Sequence, residues 1–314
     1  MKPKEFWQNF KMGEEQEIAC NFIYDGLRNL HEMETLNLES EIFPVLYNLS
    51  IGLERMFKVA IVLVEVDDNT DIDKFEETLK IHNHIALYNR LKKSKKSVDL
   101  EDLKFGPVHT GLLTLLSTFY KEHRYGRFNL PKRDNLSKDK KLFLTFLQKY
   151  LNLKIEDDII GMENSLQIKK FIGKTVKKIT KDLYAIIDKA ATAKNLYTYE
   201  LSDSSSKAAK IVWGDGEINF ENDEIVMMEV LLFLLKTDDI NRINLLKKLE
   251  PLPLDPAEDA EYLHFLIRKR TGYMSSIIDQ VEDAQADSKD CKKRIEFIKA
   301  IKDPSIGFDF PEEE

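Results

Sequence analysis

Cysteine is nearly absent from this sequence: Cys20 and Cys291 are the only two among 314 residues. Two cannot build a disulfide framework, and neither has partners at metal-ligand spacing, so the chain reads as one made for a reducing compartment. Long apolar runs are missing as well. The longest aliphatic stretches, VAIVLV at 59–64 and VLLFLL at 230–235, are bounded by Glu65 and Lys236 and fall far short of the roughly 18 to 20 residues that span a bilayer. No membrane association is expected. The opening MKPKEFWQNFKMGEEQEIAC turns acidic before any apolar core of signal-peptide length, so no secretory signal is expected and the cytoplasm is the expected location.

Signatures of common chemistries are missing too. GDGE at 214–217 matches neither phosphate-loop spacing, GxxxxGK followed by Ser or Thr, nor GxGxxG, and reads as a turn. There is no HExxH, no Cys/His cluster and no GxSxG, which removes the usual zinc and serine-hydrolase readings. The acidic loop DDNTDID at 67–73 lacks the glycine and the distal glutamate of a calcium loop. No metal and no cofactor is expected.

What is present is helical periodicity. Ile18, Phe22, Ile23, Leu27 and Leu30 recur at three and four residues over 13–33, with Glu14, Glu15 and Glu17 in the first turn, where the helix dipole favours anions. A second helix is expected over 40–66, with Ser40 as N-cap and Pro44 tolerated near the start. Its apolar positions are almost continuous after Met56, which marks it as the buried central helix. Further helices are expected over 73–94, 107–123, 137–152, 159–194, 225–236, 240–249 and 255–269. Over 196–213 the texture changes to YTYEL, SDSSSK and AAKIVW, which predicts two short strands and a polar turn. The expectation is therefore a mostly α protein, an antiparallel helical bundle with a short β-hairpin insertion. Its domains are a bundle over 1–155, further helices and the hairpin over 156–302, and a frayed acidic tail over 303–314.

Charge is unevenly spread. Residues 90–181 carry 22 Lys and Arg against 10 Asp and Glu, while the rest carries 25 against 45. Such a basic stretch neutralises a phosphate backbone, and interleaved aromatics stack on unpaired bases. The candidates for nucleic-acid contact are Arg124, Tyr125, Arg127, Phe128, Asn129, Lys132 and Arg133 in one cluster and Lys174, Lys177 and Lys178 on the long basic helix. The alternatives are that these lysines form the solvated faces of amphipathic helices, or that the basic middle complements the acidic remainder within a homodimer.

Six histidines remain as acid–base groups: His31, His82, His84, His109, His123 and His264. Placed on one helix, His82 and His84 would point about 200° apart and share neither proton nor ligand, and at least one of them reads as structural. His123 stands at the head of the cluster with Arg124 and Arg127. A histidine among cations has its charged form disfavoured, which makes these three the candidate catalytic residues.

One resemblance joins two of these segments. NLSIGLERMFKVAIVL at 48–63, followed after an acidic loop by IHNHIALYNRL at 81–91, resembles the helical core of HEPN domains, the higher-eukaryote and prokaryote nucleotide-binding family. The residues that carry it are Leu53, Glu54, Arg55, Lys58, His84, Leu87 and Leu91. It implies an antiparallel and frequently dimeric helical bundle over about residues 14–150, of the kind found in toxins, phage-defence proteins and RNA-processing factors. It also implies an Arg-x(4–6)-His motif in members that cut RNA, and no arginine here precedes a histidine at that spacing.

Three functions stay open: a HEPN-like binding or regulatory protein of a prokaryotic defence or toxin–antitoxin system, acting on RNA or a partner protein; a metal-independent ribonuclease; and a structural, self-associating helical protein.

Overall fold

The computed structural model describes residues 3–94, 103–123, 138–151, 162–196, 207–212, 220–236, 241–267, 275–286 and 290–302. These residues are mostly helical and contain no strand or sheet, only an isolated antiparallel bridge between Thr35 and Glu163. The chain divides into two compact units, Met1–Ile218 and Asn219–Glu314.

In the first unit α1 (Pro3–Phe6) runs through a π-helical turn, Trp7–Lys11, into α2 (Met12–Glu32). The next helix, α3 (Glu39–Glu65), is the centre of the unit: it packs against α2, α5 (His84–Ser94), α6 (Pro107–Thr118), α7 (Lys138–Leu151) and α8 (Leu166–Ala193). The continuous apolar run explains this position, because every residue of α3 from Val59 to Val64 is buried. A helical stretch that is apolar all round, as this one is, can lower its free energy only inside a shell of other helices. Its N-cap is Leu38, with no side-chain cap bond, so Ser40 lies one residue inside the helix.

The buried stripe of α2 passes through Ala19, Ile23, Gly26, Leu27 and Leu30, whereas Ile18 is 38% exposed. Small residues set this rotation. A Cβ on Gly52 of α3 would stand 2.6 Å from Ile23 Cγ1 and 2.7 Å from the Ala19 carbonyl oxygen, and one on Gly26 would stand 2.9 Å from Leu49 Cγ. The two backbones approach where side chains are missing.

Two further sequence expectations are corrected. The helix expected over 73–94 is two helices, α4 (Ile72–Thr78) and α5, because Asp71 caps the first through Lys74 N and Asn83 caps the second through Ala86 N. The hairpin expected over 196–213 is not seen: its second arm is helical, α9 (Lys207–Val212), and residues 197–206 lie outside the described residues. Ile211 and Val212 are buried, and α9 packs on α2 and α8, so tertiary packing overrides the strand preference of the β-branched pair.

The second unit contains α10 (Phe220–Lys236), α11 (Asn241–Leu246), α12 (Asp259–Ile267), α13 (Ser275–Ala286) and α14 (Cys291–Lys302), with a 3₁₀ turn Pro256–Glu258 leading into α12. No helix among the described residues is long and apolar enough to cross a membrane.

Candidate functional site

A cleft of about 750 Å³ opens in the first unit over the polar side of α3. Glu54, Arg55 and Lys58 of α3 lie along it, with Trp7 and Lys11 from the first π-helical turn, Glu14 and Glu15 from α2, Glu76 from α4, Lys80 and His82 from the segment before α5, and Tyr120. Tyr120 belongs to a second π-helical turn, Phe119–His123, which continues α6. Such turns are rare and cluster at functional sites, because the inserted residue re-aims side chains away from the α-helical register. Here both turns supply an aromatic ring to the same cleft.

Glu54 is the centre of the site. It is 7% exposed, and a carboxylate this buried must be paired. Lys58 Nζ donates to Glu54 Oε1 at 2.7 Å across one helical turn, and His82 Nδ1 lies 3.1 and 3.2 Å from the two carboxylate oxygens. An ionised carboxylate only accepts, so Nδ1 carries the proton and donates it. In the neutral imidazole the lone pair is then on Nε2, the arrangement of a general base oriented by a carboxylate. The His82 ring stacks on Tyr120, with centroids 5.1 Å apart and planes at 29°.

Nothing in the sequence links His82 to Glu54, which lies 28 residues away. The reason is the helix break: His82 precedes α5 instead of lying on it, which frees the ring to turn back toward α3. His84 is the structural member of the pair. It is fully buried, its Nε2 donates to the Ser50 carbonyl at 2.8 Å, and its backbone N–H donates to Ser117 Oγ at 2.9 Å. Burial holds its pKa below the usual value and keeps it neutral.

The charge of the cleft is balanced. Lys11, Arg55, Lys58 and Lys80 face Glu14, Glu15, Glu54 and Glu76, and Lys11 pairs with Glu14 at 2.7 Å, Arg55 with Glu15, and Lys80 with nearby Glu77 at 2.6 Å. The Lys11–Glu14 and Lys80–Glu77 pairs are more than half exposed; such pairs are weak and open readily to an incoming anion. No group of three metal-ligating side chains occurs among the described residues. Cys20 is no nucleophile: burial pushes its thiol up to about 12.

Of the residues predicted from sequence, His123 ends the second π-helical turn, three positions after Tyr120. Arg124, Tyr125, Arg127, Phe128, Asn129, Lys132 and Arg133 follow it and lie outside the described residues. Lys174, Lys177 and Lys178 share one side of α8, with Lys178 paired to Asp182 at 2.8 Å, and none of them lines the cleft. Trp7 and Tyr120 escaped the sequence reading because a π-helical turn breaks the spacing that marks a shared face.

No family model, no curated protein and no solved structure matches this chain.

Proposed function

We propose that this chain is a HEPN-like antiparallel helical bundle that binds RNA, taking unpaired nucleotides into the cleft over Glu54. The observation that carries the reading is the convergence of Trp7 and Tyr120, each from its own π-helical turn, on the α3 face that holds Arg55 and Lys58. Aromatic rings stack on any base, and Lys11 and Lys80, whose exposed pairs open readily, take the phosphates. The resemblance that rests on Glu54, Arg55, Lys58 and His84 supports the same assignment, with a setting in prokaryotic defence or toxin–antitoxin systems and a homodimeric assembly. The test is fluorescence anisotropy of a labelled single-stranded RNA 12-mer with the full-length protein. Trp7→Ala and Tyr120→Ala are expected to weaken binding about 5- to 150-fold each, the equivalent of about 1–3 kcal/mol per stacked base. Binding unchanged in both variants, or absent in the wild type, refutes the reading, and absence together with stable self-association favours a structural role.

A second reading, metal-independent RNA cleavage, is favoured by the Glu54–His82 contact. In it His82 Nε2 removes the proton of a ribose 2′-hydroxyl. The oxygen then attacks the adjacent phosphorus, leaving a 2′,3′-cyclic phosphate as the 5′-oxygen departs with a proton taken from solvent, and the His82 imidazolium returns its own proton to solvent. His82→Ala would abolish a cleavage that leaves cyclic-phosphate ends and survives EDTA; intact RNA after long incubation with wild type would exclude it.

A further inference from the structure

α3 ends without a basic residue in its last turn, although the last carbonyls of a helix carry partial negative charge and lack intrahelical partners. The cations come from elsewhere in the chain. Lys194, just after α8, donates through Nζ to the Val66 carbonyl, and Gln8 Nε2 donates to the same oxygen at 3.2 Å. Beyond Val66 the acidic loop folds on itself: Asp67 Oδ1 accepts from Asn69 N at 2.9 Å and from Thr70 Oγ1 at 2.8 Å. That turn aims the carbonyls of Asp67, Asp68 and Thr70 at one point. The Lys4 ammonium occupies it, donating to the three oxygens at 2.9, 3.0 and 3.0 Å. An ammonium has three protons and no acceptor, so the three carbonyls use its whole donor capacity.

Between the two anchors, Lys4 and Gln8, lies Trp7, and one turn further lies Lys11; both line the cleft. We infer that Lys4 is a positioning residue for this cleft: its seat in the carbonyl cage holds the N-terminal strap so that Trp7 and Lys11 form the wall against which a nucleotide stacks. The role rests on the nucleotide-binding reading above, but the seating of the strap is testable without any ligand. Phe6 and Phe10, tilted at 41° to each other with centroids 5.1 Å apart, are 49% and 37% exposed, so these two rings hold the strap only by partial burial. Lys4 and Gln8 add polar anchors to the helical continuity that joins the strap to α2.

The experiment uses the full chain with Trp213→Phe, which leaves Trp7 as the single tryptophan. Lys4→Met removes the ammonium at similar side-chain length, and Lys4→Arg keeps a cation with several donors. Acrylamide quenching of Trp7 is expected to rise at least twofold in Lys4→Met and to stay near wild type in Lys4→Arg. Affinity for the RNA 12-mer is expected to fall about tenfold in Lys4→Met and less than threefold in Lys4→Arg, with both urea midpoints close to the parent. Unchanged Trp7 quenching in Lys4→Met overturns the seating, and so does an arginine variant that behaves like methionine. Increased quenching with unchanged affinity overturns the positioning role while leaving RNA binding in place. A parent protein that binds no RNA overturns the nucleotide reading and the positioning role together, and the quenching data then still decide the seating.

Discussion

Gly52 and Gly173 show how the same substitution takes opposite signs at two places in one fold. At Gly52 an added methyl would meet the Ala19 carbonyl and the Ile23 backbone N at 2.7 and 2.9 Å, atoms that cannot swing aside. Gly52→Ala is therefore expected to destabilise by about 1–3 kcal/mol, the usual cost of overpacking. Gly173, inside α8, has nothing within 4 Å of its would-be Cβ, and Gly173→Ala should stabilise by about 0.5–1 kcal/mol through helix propensity. Urea midpoints of the two variants decide both. His84 gives a pH dependence with a definite sign. Its folded pKa lies below the usual 6.5 because burial disfavours the imidazolium. As pH falls below about 6.5 the unfolded chain takes up a proton that the folded chain refuses, so stability is lost, with a slope of up to about 1.4 kcal/mol per pH unit. Above that pH the contribution is fully present. His109 is shifted in the same direction, so His84→Gln should flatten most of the slope between pH 6.5 and 5.5 and leave a remainder. A slope identical to wild type would assign the effect elsewhere.

Among the elements, α3, α4 and α5 meet through one guanidinium. Arg90 of α5 donates from Nε to Glu65 Oε1 at 3.0 Å, from Nη2 to Glu65 Oε2 at 2.6 Å and from Nη1 to the Thr78 carbonyl at 2.9 Å, and it lies 5.3 Å from the Phe75 ring centroid. Lysine cannot reproduce a planar fork, so Arg90→Lys is expected to cost about 1.5–3 kcal/mol, the range for hydrogen bonds to charged groups. An unchanged unfolding midpoint would refute the fork. This junction also marks how far the sequence could be read. The existence and centrality of α3 were legible because the apolar run from Val59 to Val64 closes a longer segment of helical pattern and must be buried in water. The break before α5 was less so: Lys80, Ile81 and His82 have side chains that tolerate a helix, and only Asn83, with its capping side chain, marks the restart. α9 was misread because the helix depends on distant neighbours in α2 and α8 that no local window contains. The cleft was hardly legible as a site. Glu54, Arg55 and Lys58 entered only as carriers of the resemblance to HEPN domains, and the candidate site residues Lys174, Lys177 and Lys178 do not line the cleft. Trp7, His82 and Tyr120 reach the cleft through two π-helical turns and a loop, whose geometry leaves no periodic trace.

At the scale of the whole chain, burial is concentrated in one unit. Among the described residues of the second unit, the buried apolar side chains are Phe220, Ile277 and Ile301, whereas the first unit holds all the rest. α10 instead exposes Ile225 at 57%, Phe233 at 58% and Leu235 at 66%. Each ordered residue costs roughly 1–2 kcal/mol of backbone entropy, and burial repays it at about 25 cal/mol for each Å² removed from water. Among the described side chains of α10 only Phe220 is buried, so tertiary packing contributes little to holding them. Opening such a segment costs less than global unfolding, and amide hydrogen exchange reads that cost directly. In the full-length protein the amides of α3 should exchange slowest, through global unfolding alone, while those of α10, α13 and α14 should exchange at least tenfold faster through local opening. Every residue named in the cleft belongs to the first unit, so the slow class should contain the α3 residues under the site. Equal protection of α10 and α3 would refute the asymmetry and show that the apolar surface of α10 is covered in solution. In that case Phe233→Glu, placed on the exposed surface, should restore fast exchange in α10 and leave α3 protected.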